Sequence, residues 1–238
     1  MSEYDIIPQD PSMAAKLGNM DAHNPAPRLP VILMLDTSGS MAGTAINELN
    51  RGLRQFLQET QEDATASSSV ELEIISFSDN ATVEIPFQRL GLIDESTLPT
   101  FTAGGNTAMG AAIDRAKNDL KSCREIYKIN GFSAYKPWIV LMTDGAPNDN
   151  WEKPARELKE LCQSKGYTYL GIGVGDAVDW KTLGEIVPDP PGPVKLQGFK
   201  FREFFKWITD SLKMTTRTAV DLQDTVQVGS IKDWGELV

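Results

Sequence analysis

Two almost wholly apolar runs in this chain each stop at an acid. Val31-Ile32-Leu33-Met34-Leu35 leads into Asp36, and Trp138-Ile139-Val140-Leu141-Met142-Thr143 leads into Asp144. A run without polar alternation suits a strand covered on both faces, as in a parallel sheet flanked by helices. Helical patterns lie between these runs and after them. Ile46, Leu49, Leu53, Phe56 and Leu57 recur at three- and four-residue spacing, as do Met109, Ala112, Ala116, Leu120, Cys123 and Tyr127. Strands alternating with amphipathic helices imply a mainly parallel sheet with helices on both faces.

The remaining segments fill in this plan. Strands are expected at 29–36, 70–78, 81–86, 138–143, 168–174 and 194–197, the last as an edge strand. The pair at 70–78 and 81–86 is joined too tightly for a crossover, so it reads as an antiparallel hairpin at the sheet edge. Further helices are expected at 107–127, 151–164, 179–186 and 199–214, with 64–69 as a polar loop of small residues. The expected fold is therefore α/β and doubly wound: a mostly parallel six-stranded sheet with one antiparallel edge strand, and helices on both faces. Residues 1–28 carry four prolines and no period, and read as a flexible N-terminal arm. The domain itself is expected at 29–214. Residues 215–238 form a C-terminal tail in which Ile231, Trp234, Leu237 and Val238 are candidates for docking.

Charge and composition exclude several function classes. With 238 residues, 41% of them apolar, the chain can bury a sizeable core. A formal net charge of −10 disfavours a nucleic-acid backbone or an anionic membrane surface as partner. No apolar run approaches the ~20 residues of a membrane helix, and 1–30 lacks the pattern of a signal peptide. Cys123 and Cys162 lie in helical contexts without metal-ligand spacing. They read as reduced thiols in or near the core of a cytoplasmic protein, a disulfide between them being the lesser alternative.

The chemistry concentrates at the strand ends. After Asp36 come Ser38 and Ser40, hard oxygen donors that suit a small divalent cation such as Mg²⁺ and not zinc or copper. Thr107, in Gly104-Gly105-Asn106-Thr107, and Asp144 supply two further oxygens at strand-to-helix junctions. Each segment alone also reads as a turn or helix cap. Their shared position beyond the carboxyl ends of the strands, where such sheets bind ligands, argues for one site. Ser38, Ser40 and Thr107 would offer neutral hydroxyls, with Asp36 and Asp144 binding directly or through water. An ion held largely by neutral groups attracts an anionic oxygen from outside, such as a partner's Asp or Glu.

Asp36-Thr37-Ser38-Gly39-Ser40, then Thr107, then Thr143-Asp144-Gly145 resemble the metal-ion-dependent adhesion site of von Willebrand factor A domains, over about residues 29–214. Within that family the chain is similar to bacterial TerY/YegL-like proteins of tellurium-resistance and stress operons, on Leu29-Pro30-Val31, Met142-Thr143-Asp144-Gly145-Ala146-Pro147 and Phe204-Phe205-Lys206-Trp207. The resemblance implies a Rossmann-like fold and a cytoplasmic, non-enzymatic module. It also implies that Asp36, Ser38, Ser40, Thr107 and Asp144 ligate Mg²⁺, with Mn²⁺ or Ca²⁺ as substitutes. The implied partner is a protein carboxylate, with kinase- or phosphatase-like operon neighbours as candidates. Met41-Ala42 after Ser40 departs from the acidic pattern of an adjacent second metal site.

Two enzyme readings compete. An apolar strand ending in Asp36 also resembles an Mg²⁺-dependent phosphatase of the haloacid-dehalogenase type with an aspartate nucleophile, and Asp144 with Asn148-Asp149 could serve as its second acidic motif. That chemistry needs a general acid two residues after the nucleophile, where this chain has Ser38. A serine hydrolase lacks a framed base, because the single histidine is His23, in the N-terminal arm. Gly171-Ile172-Gly173-Val174-Gly175-Asp176 departs from a dinucleotide loop at its third glycine. It reads as a strand end with close backbone packing. Phe201, Phe204, Phe205 and Trp207 read as core, and Asp79-Asn80 as a hairpin turn.

Overall fold

The computed structural model describes residues 24–220 and 229–238. Seven strands form one sheet: β1 (Leu29–Asp36), β2 (Val70–Phe77), β3 (Ala81–Arg89), β4 (Trp138–Thr143), β5 (Thr168–Val174), β6 (Pro193–Leu196) and β7 (Gly235–Leu237). Their order is β3-β2-β1-β4-β5-β6-β7. The inner five strands are parallel, and β3 and β7 pair antiparallel at the two edges. The helices among the described residues are α1 (Thr44–Gln61), α2 (Ala64–Ser69), α3 (Met109–Ile129), α4 (Glu152–Lys165), α5 (Trp180–Ile186) and α6 (Phe201–Arg217).

Strand alternation sorts the side chains into two layers. Leu29, Val31, Leu33 and Leu35 of β1 join the core shared with α1 and α6, while Ile32 and Met34 join the core shared with α3, α4 and α5. Every residue of β1 is buried, as its unbroken apolar run requires. The alanines Ala112 and Ala116 let α3 lie close to the sheet, and both are buried. Gly52 does the same between α1 and α6, where a Cβ would stand 2.6 Å from the Phe205 ring. Phe201, Phe204, Phe205 and Trp207 are buried core residues, as expected. The glycines of β5 are packing glycines as well. A Cβ on Gly171 would meet Val187 at 2.4 Å, and one on Gly173 would meet Trp180 at 2.3 Å.

The sheet has seven strands, one more than the pattern of apolar residues suggested. Gly235–Leu237 is too short to show a period of two. What places it is Trp234, buried with its ring 4.9 Å from Phe204 and 5.1 Å from Trp207. The consequence is that β6 is not an edge strand, since β7 covers it. Residues 64–69 form α2 instead of a loop. This helix has no apolar period to read. Its start is fixed by Asp63, whose carboxylate accepts from the Thr65 and Ala66 N–H groups, and Ala66 is buried beneath it.

Of the expected N-terminal arm, residues 1–23, including His23, lie outside the described residues. Arg28 is buried, with its guanidinium 3.6 Å from the Glu71 carboxylate and stacked over the Phe132 ring. Both cysteines are free and buried, and burial pushes the Cys162 thiol up to about 12. No helix among the described residues is long and apolar enough to cross a membrane.

Candidate metal centre

β1 connects through α1 and α2 to β2 on one side, while β4 lies on its other side. The strand order therefore reverses between β1 and β4, which opens a crevice beyond their carboxyl ends. Asp36 ends β1, and Asp144 follows β4 by one residue. Pairing of Leu35 with Met142 brings the two strand ends level, so both acids arrive at the mouth of that crevice.

Hydrogen bonds join four of the five expected site residues directly. The Asp36 carboxylate accepts from the Ser38 N–H at 2.8 Å. The Ser38 and Ser40 hydroxyls share a 3.1 Å hydrogen bond, and Ser40 donates to Asp144 at 2.7 Å. The turn that aims these hydroxyls is a short 3₁₀ segment, Gly39–Met41, anchored by the buried Met41 side chain. Gly43, at φ 86°, then reverses the backbone into α1, a conformation that favours glycine.

Thr107 arrives from a separate loop. Gly39 N–H donates to the Gly105 carbonyl at 3.1 Å, and Gly104 N–H donates to the Thr37 carbonyl at 2.9 Å. The Thr107 loop thus lies against the Asp36–Ser40 turn. Among the described residues the Thr107 hydroxyl has no hydrogen-bond partner, although the residue is buried. Helix capping does not occupy it either: Ala108 holds the N-cap position of α3.

Thr143 was not among the expected site residues. Its hydroxyl donates to the second Asp36 oxygen at 2.6 Å. The signal was present in the sequence, since Thr143 directly precedes Asp144 at the end of the strand beside β1. Only the parallel register sets it abreast of Asp36. Asp79 lies in the hairpin turn expected between β2 and β3, and Asp149 was weighed only for the phosphatase alternative; neither was expected to touch the Thr107 loop. The Asp79 carboxylate accepts from the Asn106 backbone and side-chain N–H groups, and the Asp149 carboxylate accepts from the Gly110 and Ala111 N–H groups.

The electrostatics favour a cation. Burial raises the Asp36 carboxyl above its ordinary value, hydrogen bonds from Ser38 and Thr143 oppose the rise, and the Asp144 charge adds to it. Burial raises Asp144 too, against the Ser40 hydrogen bond. Among the described residues, no lysine or arginine pairs with either carboxylate. Two buried carboxylates without a counter-charge are costly unless a cation joins them. The donor set is two carboxylates and three hydroxyls, all oxygen, which fits a hard divalent ion. Among the described residues no cluster of three or more His, Cys, Asp or Glu side chains is placed to hold a metal, so an ion at this position would need the hydroxyls as well as the two carboxylates.

The family model for the von Willebrand factor type A domain matches residues 31–207, and the chain belongs to that family. Solved structures agree on the fold. A von Willebrand factor type A protein from Catenulispora acidiphila superposes with a TM-score of 0.61 at 16% identity, over 79% of this chain and 43% of that one. Proximal thread matrix protein 1 from the mussel byssus, with a zinc-occupied MIDAS motif, gives 0.57 at 16% identity, over 79% and 48%. The ArnB paralog VWA2 from Sulfolobus acidocaldarius gives 0.56 at 18% identity, over 78% and 45%. The chain thus spans less than half the length of these three proteins. A comparison with curated protein sequences returned no match.

Proposed function

We propose that this chain is a metal-dependent protein-binding module of a bacterial stress or defence system of the tellurium-resistance type, working in the cytoplasm. Asp36, Ser38, Ser40, Thr107 and Asp144 hold the ion, Mg²⁺ in the first instance with Mn²⁺ or Ca²⁺ as substitutes. The ion captures an Asp or Glu carboxylate of a protein partner, a kinase- or phosphatase-like operon neighbour being the first candidate. The observation that carries this reading is the pair of buried carboxylates, without a cationic partner among the described residues, at the point where the strand order reverses. The zinc-occupied MIDAS motif of the mussel byssus protein supports divalent-ion binding on this fold. When bound, a divalent ion supplies the charge that balances both carboxylates and attracts an incoming one. Asp36 and Asp144 provide the anionic base of the site, and Ser38, Ser40 and Thr107 provide neutral arms that leave the ion attractive to an outside anion.

The module is proposed to be non-catalytic. Ser38 stands where a phosphatase would need its general acid, and its hydroxyl is shared with Ser40. The Asp149 carboxylate, the alternative second acid, is engaged by two backbone N–H groups of α3. Calorimetric titration with Mg²⁺ and Mn²⁺ tests the site, with Asp36→Ala expected to abolish binding while the fold persists. A pull-down with and without EDTA, followed by titration of the purified partner, tests its use. Equal metal affinity in wild type and Asp36→Ala would sink the site. Mg²⁺-dependent phosphomonoester hydrolysis that vanishes with Asp36→Asn would replace the module with an enzyme.

A further inference from the structure

We propose that Asp149 and Asp79 are positioning residues for the Thr107 arm of the metal centre, two carboxylates that grip the backbone on either side of Thr107. The proposal rests on the metal-binding reading given above and assigns what holds its third arm in place.

Asp149 lies five residues beyond Asp144, in the same loop after β4. Its two oxygens accept from Gly110 N–H and Ala111 N–H, each at 2.8 Å, in the first turn of α3. That turn needs an outside acceptor, because its own N-cap, Ala108, has no side-chain oxygen. The neighbouring Asn148 N–H donates to the Thr107 carbonyl at 3.1 Å. The two segments touch so closely that a Cβ on Gly110 would stand 2.7 Å from the Asn150 carbonyl oxygen. The loop carrying Asp144 is thereby fastened to the segment carrying Thr107.

The other side is held from the β2–β3 hairpin. One Asp79 oxygen accepts from the Asn106 N–H at 2.9 Å and from its side-chain amide at 2.7 Å. Ala108 N–H donates to the Ser78 carbonyl at 2.8 Å. Gly105, at φ 75°, packs against this carboxylate, and a Cβ there would fall 2.8 Å from the Asp79 carboxyl carbon. Residues 105–111 are therefore clamped between two loops, while the Thr107 hydroxyl is left free of any hydrogen bond among the described residues. Mg²⁺ tolerates little deviation from octahedral geometry. A neutral ligand on a loop needs such a frame, and groups that orient a ligand commonly alter metal affinity by about 10- to 100-fold.

The test titrates Mn²⁺ into the full chain and into Asp149→Ala, Asp149→Asn, Asp79→Ala, Thr107→Ala and the double variants with Thr107→Ala. Each protein is also melted without metal. Asp149→Ala is expected to weaken Mn²⁺ binding by about tenfold or more. Asp149→Asn, which keeps one acceptor, should recover part of the loss. Asp79→Ala should weaken binding less, because its hydrogen bonds face solvent. In the Thr107→Ala background neither substitution should weaken Mn²⁺ binding further, since both act through Thr107. A purely structural role predicts a lower melting temperature with unchanged affinity, or losses that add to that of Thr107→Ala. Either result overturns the proposal while leaving the metal reading intact. A wild-type chain that binds no ion removes both.

Discussion

Asp36 combines complete burial, two hydrogen-bond donors and, among the described residues, no counter-cation, so its charge sets the energetics of the site. Its carboxyl is raised above the ordinary 3.8 by burial, so the folded chain holds a proton that the unfolded chain releases. For an acid shifted this way, the added stability is present below the unfolded value and disappears as pH rises through the folded one. Asp144 shifts in the same direction. Asp63, Asp94, Glu157 and Asp179 shift the opposite way, so the effect has to be read as a difference between proteins. Without metal, wild type should lose stability relative to Asp36→Asn as pH rises from about 4 towards neutrality. Saturating Mg²⁺ should restore the wild type and leave Asp36→Asn unchanged, because metal affinity grows as the ligands deprotonate. Calorimetric melting of both proteins across this range checks it. A pH-independent difference would mean that the Asp36 charge is compensated in some other way.

At the scale of elements, α2 shows how a helix can exist without a readable pattern. Its sequence, Ala-Thr-Ala-Ser-Ser-Ser, has neither an apolar face nor strong propensity. Asp63 caps its first turn and also receives the Arg217 guanidinium at 2.6 Å, tying α2 to the end of α6. Asp63→Ala should cost about 1 kcal/mol, the usual worth of a lost cap, with little added by the exposed Arg217 contact. Backbone hydrogen bonding to Ala66 holds the Asp63 carboxyl below 3.8. Its contribution is therefore present above that value and lost as pH falls through the lowered one. Urea unfolding at neutral pH should reveal the loss, and the same measurement near pH 3 should show a smaller one. The strands were the easier elements to read. Apolar runs such as 31–35 and 138–142 leave little choice but a doubly covered strand, whereas Gly235–Leu237 is too short to announce itself.

For the molecule as a whole, the C-terminal segment closes the sheet edge and completes one of the two cores. Trp234 is buried among Phe204 and Trp207, and the Trp207 indole N–H donates to the Gly229 carbonyl at 2.9 Å. Trp234→Ala should destabilise the protein by about 3–5 kcal/mol, the range for large aromatic truncations in cores. Such a loss is a large share of a domain's total stability. β7 lies three strands from β4, so the metal affinity of the remaining folded protein should not change. Chemical denaturation paired with Mn²⁺ titration checks both statements. A parallel loss of metal affinity would show that the edge and the metal centre are coupled.

By itself the sequence determined the fold class and the main ligand candidates. Apolar runs of strand length between amphipathic helices allow few arrangements other than a covered parallel sheet, and Asp36, Ser38, Ser40 and Asp144 stand at the ends of those runs. Local chemistry suffices for this, because burial pattern and donor type are properties of neighbouring residues. Tertiary structure alone decided which groups meet across the sheet. The register that sets Thr143 beside Asp36, the grip of Asp79 and Asp149 on the Thr107 loop, and the docking of Trp234 all join residues distant in sequence. Short polar segments such as 78–80 and 148–150 carry the same turn signal whether they merely reverse the chain or hold another loop. Only packing between segments distinguishes the two.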